Sequence, residues 1–328
     1  MTPLEFRLLN DFQRHFPLAV QPYAVLGEAL GVDEAAVIGA FERLRRSGVL
    51  SRIGAVFRPG TLGASTLAAM KVPAERLEAV AAVVSSFPEV NHNYEREHRF
   101  NLWFVAAAAD EVALDATLAK IARLTGIEVL KLPLVEEYHI DLGFSLEGAG
   151  APRAPRARKG RRVVLGDADR KLVAALEDGL GLEPRPYAAL GERGGLDEQA
   201  VIDRLARWQA EGLIRRFGVV VRHHELGWRA NAMAVWDVPD DRAARFGRML
   251  AAAEGVTLAY RRARRRPAWP YNLYCMIHGT ERRQVAARIE SLSRELGIDV
   301  FPHAVLFSRT RFKQTGPRYS AMRETAHG

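Results

Sequence analysis

Apolar residues recur at three- and four-residue spacing from Pro3 to Phe16, Pro22 opens a second helical stretch ending near Leu30, and Asp33 caps a third that runs to Ser47 and stops at Gly48. These are the start and stop signals of short amphipathic helices: proline tolerates the first turn because its missing N–H has no partner there, and a capping carboxylate accepts an orphan N–H. Beyond Gly48 the rhythm changes to the β-rich segment SRIGAVF, so three helices and a strand predict a winged helix-turn-helix. Strand-like and helical segments then alternate: TLAAMKV, a helix Ala74–Ser86, EVNHNYER, FNLWFVAAA, a helix Glu111–Thr125, and IEVLKLP. This βαββαβ order predicts a ferredoxin-like domain, a four-stranded sheet with helices on one face. The opposite face of such a sheet needs cover, from a second sheet of this chain or from another chain.

The whole pattern occurs twice. PYAVLGEALGVDEAAVIGAFERLRRSGVLSRIGAVFR from Pro22 returns without gaps as PYAALGERGGLDEQAVIDRLARWQAEGLIRRFGVVVR from Pro186, at an offset of 164. FPEVNHNYER answers AEGVTLAYRR at offset 166, and NLWF and TGIEV answer NLYC and LGIDV at offset 171. The drift places an insertion of five residues between Arg262 and Asn272. The fold class is therefore α+β, a tandem repeat of winged helix-turn-helix plus ferredoxin-like domain. Its expected segments are 1–60 and 61–148, a basic linker 149–164, then 165–224 and 225–319, and a tail 320–328.

With 328 residues, 48% of them apolar, the chain can bury a sizeable core. The start MTPLEFRLLNDFQRHF has neither a basic n-region nor a long apolar stretch, so a cytoplasmic protein without a membrane partner is expected. A single cysteine, Cys275 in LYCMI, allows no intrachain disulfide and reads as a buried strand thiol. The net charge of +8 and a pI near 9.9 call for an acidic partner. Two basic runs stand out: Arg153, Arg156, Arg158, Lys159, Arg161 and Arg162 read as a solvated linker, and Arg261, Arg262, Arg264, Arg265 and Arg266 as a ligand clamp in a strand-to-strand loop.

His92, Tyr94, Arg96 and His98 alternate along NHNYEREH and share one face if that stretch stays extended. Histidine suits proton transfer near neutral pH, and arginine grips carboxylates bidentately; a polar, solvent-facing strand edge is the alternative. Asn101 and Asn272 sit at matching places before Trp103 and Tyr274, either as ligand-binding amides beside aromatics that pack on a flat ligand or as strand-entry asparagines before core aromatics. Tyr260, Arg262, Arg264 to Arg266, Trp269 and Tyr271 mix cations with aromatic faces, which also suits single-stranded nucleic acid or a disordered basic loop. His139 follows the last strand of the first sheet, as a site or as a tail residue. Of the neighbours His223 and His224 at most one can face a site, His278 and His303 read as structural, and His15 and His327 carry no signal.

A winged helix followed by βαββαβ resembles the Lrp/AsnC family, and LGDADRKLVAALEDG resembles the opening of its DNA-binding domain. The strings SRIGAVFRPGTLG, NHNYEREHRFNLWF, LPLVEEYHIDLGF and AYRRARRRPAWPYNLYCMIHG resemble a branch of that fold, the sirohaem decarboxylases, in the fused D-L layout of denitrifiers. The resemblance spans nearly the whole chain, except the linker and the tail after Tyr319. It implies removal of the C12 and C18 acetate carboxyl groups of sirohaem, giving 12,18-didecarboxysirohaem in haem d1 biosynthesis, with no organic cofactor and with iron arriving in the substrate. It also implies that His92, Tyr94 and His98 are catalytic, with His98 or His92 as proton donor and His98 a candidate axial ligand of the substrate iron. The family's ligand region falls on the strand block and the arginine loop, so Arg96, Asn101, Trp103, Tyr260, Arg262, Arg264, Arg265, Tyr271 and Asn272 are the candidates for holding the substrate, and His139 is a further candidate read from its place after the last strand. The halves differ where this matters: His92, Glu95, His98 and Trp103 align with Leu258, Arg261, the insertion and Tyr274, so two equivalent sites are not assumed.

The competing functions are an Lrp/AsnC-type DNA-binding regulator and a tetrapyrrole sensor. Asp33, Glu34, Asp197 and Glu198 open the third helix of each half and would face DNA phosphates with like charge, although Arg43, Arg45 and Arg46 remain available to a backbone. DNA is thus an unfavoured partner, sirohaem the expected one, and a homodimer remains open.

Overall fold

The computed structural model describes residues 1–58, 60–140, 143 and 165–316; the basic linker, the C-terminal tail with His327, and the side chains of His223 and His224 lie outside the described residues. The first repeat runs α1 (Pro3–Asp11), α2 (Pro22–Leu30), α3 (Glu34–Arg46), β1 (Leu50–Phe57), β2 (Ala64–Met70), α4 (Leu77–Ser86), β3 (Val90–Arg96), β4 (Leu102–Ala108), α5 (Glu111–Thr125) and β5 (Leu130–Ile140). The second repeats it as α6 (Asp167–Ala175), α7 (Pro186–Gly194), α8 (Glu198–Ala210), β6 (Ile214–Val221), β7 (Ala230–Trp236), α9 (Asp240–Ala252), β8 (Val256–Arg262), β9 (Leu273–Gly279), α10 (Arg282–Leu296) and β10 (His303–Gln314). Like parts of the two repeats join, giving one compact unit of 1–62 with 143–226 and another of 63–142 with 227–328.

In the first unit each winged helix contributes one strand to a shared two-stranded sheet, in which Gly54 lies opposite Gly218. The repeats clasp each other by equivalent bonds: Tyr23 donates its hydroxyl to the Gly181 carbonyl and Tyr187 to that of Pro17, both at 2.6 Å. Asp33 and Asp197 are the N-caps of α3 and α8, accepting from the amides of Ala36 and Ala200. The first helix is shorter than its apolar rhythm predicts. After Asp11 the carbonyls of Phe12 and Gln13 turn to β6 and accept from the Val219 amide and the Arg216 guanidinium, so the helix gives way to packing on that strand.

In the second unit eight strands close into a barrel in the order β10-β3-β4-β2-β5-β8-β9-β7. The long strands close it. β5 pairs with β2 through Leu130–Pro133 and then with β8 through Leu134–Ile140; β10 pairs with β7 through His303–Phe307 and then with β3 through Ser308–Gln314. The two bare sheet faces thus cover each other within one chain. Helices α4 and α5 pack outside on a core containing Val80, Phe104 and Ile121, and α9 and α10 on one containing Trp236, Phe246 and Ile289. Leu67, Trp103, Leu132, Met233, Trp269 and Tyr274 among others pack in the interior, which in an eight-stranded barrel is about as wide as the side chains that line it.

Strand lengths move three expected positions. His139 lies within β5 and not after it, because that strand continues into its pairing with β8. Arg261 and Arg262 belong to β8 and not to the following loop. β3 ends at Arg96, so His98 sits in the turn and does not continue the alternation. Cys275 is fully buried in β9, where desolvation pushes its thiol up to about 12.

Candidate active site

His92, Tyr94 and Arg96 project from β3 into the barrel. Tyr94 lies opposite Trp103 of the interior core, whereas Asn93 between them turns outward and bonds to Ala81 and Ser85 on α4. The guanidinium of Arg96 is buried. It donates to the Leu306 carbonyl at 3.1 Å and approaches the Met276 sulfur at 3.8 Å, and no carboxylate pairs with it among the described residues. Burial pulls its pKa down, while Tyr260 from the other repeat and Tyr94 act the opposite way. A charge desolvated without a counter-charge is costly and invites an anion. Burial likewise raises the Tyr94 phenol, and Arg96 and Arg311 partly offset that rise.

The second repeat presents the same pair. Tyr260 and Arg262 take the places of Tyr94 and Arg96, with the Arg262 guanidinium 4.7 Å from the Tyr260 ring centroid and donating to the Leu132 carbonyl at 2.8 Å. Leu132 lies opposite Leu67 and Leu306 opposite Met233, so the two arginines address equivalent carbonyls.

The two histidines are held in opposite protonation patterns. His92 Nδ1 is 2.9 Å from the Asn91 Oδ1, an acceptor, so Nδ1 carries the proton. His98 Nδ1 accepts the Phe100 amide at 3.0 Å, so in the neutral ring the proton sits on Nε2. Burial and then the neighbouring Arg99 lower the His98 pKa, which keeps that ring neutral. His98 stacks on Phe100 and meets Trp269 edge-on, with centroids 5.3 Å apart.

Trp269 comes from the insertion. Its ring is fully buried against Trp103, Tyr271 and His98, and its Nε1 donates to the Tyr274 hydroxyl at 2.7 Å. The loop carrying it is tied down by its arginines: Arg264 pairs with Asp237 and Asp240, Arg266 with Asp237, and Arg265 donates to the Lys131 carbonyl. The loop is an ordered strap, and two of its cations already hold carboxylates of the chain.

A family profile described as an AsnC-like ligand binding domain matches residues 61–139 and 225–313, and one described as a siroheme decarboxylase NirDL-like HTH domain matches 5–50 and 169–215. The siroheme decarboxylase NirDL subunit of Paracoccus denitrificans is 44% identical over 321 residues, covering 96% of this chain and 97% of that one. The chain belongs to the siroheme decarboxylase family. Within that family the repeats also occur as separate proteins: the siroheme decarboxylase NirD subunit of Pseudomonas aeruginosa is 50% identical over 149 residues, 45% of this chain and 99% of that one. A crystal structure of the siroheme decarboxylase NirDL in co-complex with an iron-uroporphyrin III analogue matches at TM-score 0.72 and 28% identity, covering 98% of this chain and 96% of that one.

Within this siroheme decarboxylase fold the expected site residues divide into two groups. His92, Tyr94, Arg96, Trp103, Tyr260, Arg262 and Tyr271 gather in or against the barrel interior, with His98 at its edge on Trp269. Asn101 and Asn272 are elsewhere engaged: each side chain both donates to and accepts from the backbone of one residue, Val72 or Val238, at 2.9 to 3.0 Å. Their amides clamp strand ends. His139 lies opposite Ala259, a residue of the core beneath α9 and α10, and so faces away from the interior. Arg264 and Arg265 anchor the strap. Arg311, directly opposite Tyr94 across the β3–β10 pairing, was not expected. The repeat alignment stopped before β10, and only strand register brings this residue to β3.

Proposed function

We propose that this chain removes the C12 and C18 acetate carboxyl groups of sirohaem to give 12,18-didecarboxysirohaem on the route to haem d1. The observation that carries this reading is the buried Arg96 guanidinium, which has no carboxylate partner among the described residues and is flanked on its strand by Tyr94 and His92. Each decarboxylation exchanges carbon dioxide for a proton, transfers no net electrons and needs no organic cofactor; the iron belongs to the substrate. Protonation of the pyrrole carbon next to the acetate-bearing position creates an iminium-like sink for the electron pair of the breaking C–C bond. The exocyclic methylene left behind then takes up a proton to become the methyl group and the ring carbon gives its own back, so that one proton in total replaces each carbon dioxide. Negative charge leaves the carboxylate as that bond breaks, so an apolar surround such as Trp103 and Tyr260 favours the reacting acetate. The guanidinium of Arg96 then serves a carboxylate that remains.

His92 is our candidate for the proton donor. Its Nδ1–H to Asn91 is kept when the ring becomes an imidazolium, so Nε2–H can be delivered and regained without breaking that bond. His98 does not suit the axial-ligand role: with Nδ1 occupied by the Phe100 amide, the neutral ring carries its proton on Nε2, where a ligand needs a lone pair. The regulator reading has less support, because α3 and α8 open on Asp33-Glu34 and Asp197-Glu198, which repel phosphate. Anaerobic incubation of the purified chain with sirohaem, followed by extraction and mass spectrometry, tests the proposal. Loss of two carbon dioxide units is expected; intact sirohaem with a shifted absorption band would replace the enzyme by a carrier.

A further inference from the structure

The pseudo-symmetry of the barrel identifies which positions have diverged between its two ends. Tyr94 and Arg96 on β3 match Tyr260 and Arg262 on β8, and both arginines donate to equivalent carbonyls. Around these shared pairs the positions opposite and beside them differ. Opposite Tyr94 stands Arg311, and opposite Tyr260 stands Glu137. His92, facing Gln314, corresponds to Leu258, facing Ile140. Arg311 and Glu137 are both half-buried, so each charge acts in a medium that screens it less than bulk water does. Arg311 is close enough to Tyr94 to influence the ionisation of its phenol, and its Nη1 donates to the Gln314 Oε1 at 3.2 Å, which directs it along the face carrying His92.

We infer that one tetrapyrrole polycarboxylate binds per chain, at the end of the barrel where β3 meets β10, and that Arg311 holds one of its carboxylates there. This rests on the sirohaem reading above and says which end does the work. Beside the shared tyrosine and arginine, the β3–β10 end carries Arg311, His92 and Gln314, whereas the β5–β8 end carries Glu137, Leu258 and Ile140 at the same places. The site draws β3 from the first repeat and the end of β10 from the second, so neither half carries it alone.

The test is an anaerobic absorbance titration of the full chain with iron-uroporphyrin III. One equivalent per chain is expected, with Arg311→Gln weakening binding by about 10- to 100-fold, the range for losing a charge-assisted hydrogen bond. Glu137→Gln should change binding by less than about two-fold. Arg311→Lys, which keeps the charge but not the fork, should fall between Arg311→Gln and the wild type and guards against a folding defect in the glutamine variant. Two equivalents per chain, or equal effects of the Arg311 and Glu137 variants, would overturn the inference. Because the readout is binding, these results are separable from a failure of turnover, which bears on the proposed reaction itself.

Discussion

Arg96→Met separates a functional arginine from a structural one, because the two roles predict effects of opposite sign on stability. The side chain is 8% exposed, makes one backbone hydrogen bond at 3.1 Å and one contact to a thioether at 3.8 Å, and lies over the Tyr94 ring at 6.0 Å from its centroid, too far to add much. Losing the first costs about 1.5–3 kcal/mol for a charged donor, and the sulfur contact less. Against this, methionine removes an ion whose desolvation costs several kcal/mol after relaxation, and it fills much the same volume. The balance is an unchanged or higher stability, by about 0 to 2 kcal/mol. Turnover should move the other way: loss of one guanidinium–carboxylate contact, about 1.5–3 kcal/mol, lowers kcat/KM roughly 10- to 150-fold. Urea denaturation gives the first quantity, and sirohaem consumption followed by mass spectrometry gives the second. A variant destabilised by more than about 2 kcal/mol that still turns over at near wild-type kcat/KM would make Arg96 a structural residue and not a substrate-binding one.

Trp269→Ala should cost about 3–5 kcal/mol in urea denaturation, because a fully buried ring and its bond to Tyr274 are lost from the interior; a cost under 1 kcal/mol would mean that the strap does not belong to the core. Gly218→Ala should destabilise by about 1–3 kcal/mol, since a Cβ there would lie 2.5 Å from the Phe12 and Gln13 carbonyl oxygens. Gly54→Ala, whose nearest neighbour is the Gly179 Cα at 3.4 Å, should be the milder variant in the same denaturation series, and the reverse order would contradict the packing described. His98 titrates below its ordinary 6.5, so below that pH the unfolded chain takes up its proton more readily, and stability present above 6.5 is lost as the pH falls toward the lowered folded value. His98→Gln should therefore lose less melting temperature than wild type between pH 7.5 and 5.5, and parallel losses would contradict the assignment.

Local signals located most of the fold, since caps and breakers act over a few residues: Pro22, Asp33 and Gly48 each mark a boundary the structure keeps. The internal repeat made the pairing of the two sheets foreseeable, because each had one face to cover. Strand ends were less legible. β5 and β10 extend as far as they do because the other repeat supplies β8 and β3 as partners, a tertiary cause that the segments LPLVEEYHI and HAVLFSRTRFKQ do not carry themselves. The same limit governed the site. The alternation of His92, Tyr94 and Arg96 was readable because it lies within one strand, whereas Arg311 arrives through register. Asn101 and Asn272 show the converse: a matched residue beside an aromatic reads equally well as ligand or clamp until the backbone of Val72 and Val238 is seen to occupy both ends of each amide.

On the proposed reaction, this chain exchanges each of two acetate carboxylates of sirohaem for a proton. Anaerobic turnover in deuterated buffer, with mass spectrometry of the extracted tetrapyrrole, tests it most directly. A product lacking two carbon dioxide units, with solvent deuterium in both new methyl groups, is expected; recovery of sirohaem with all its carboxylates, under conditions in which it demonstrably binds, would rule the reaction out.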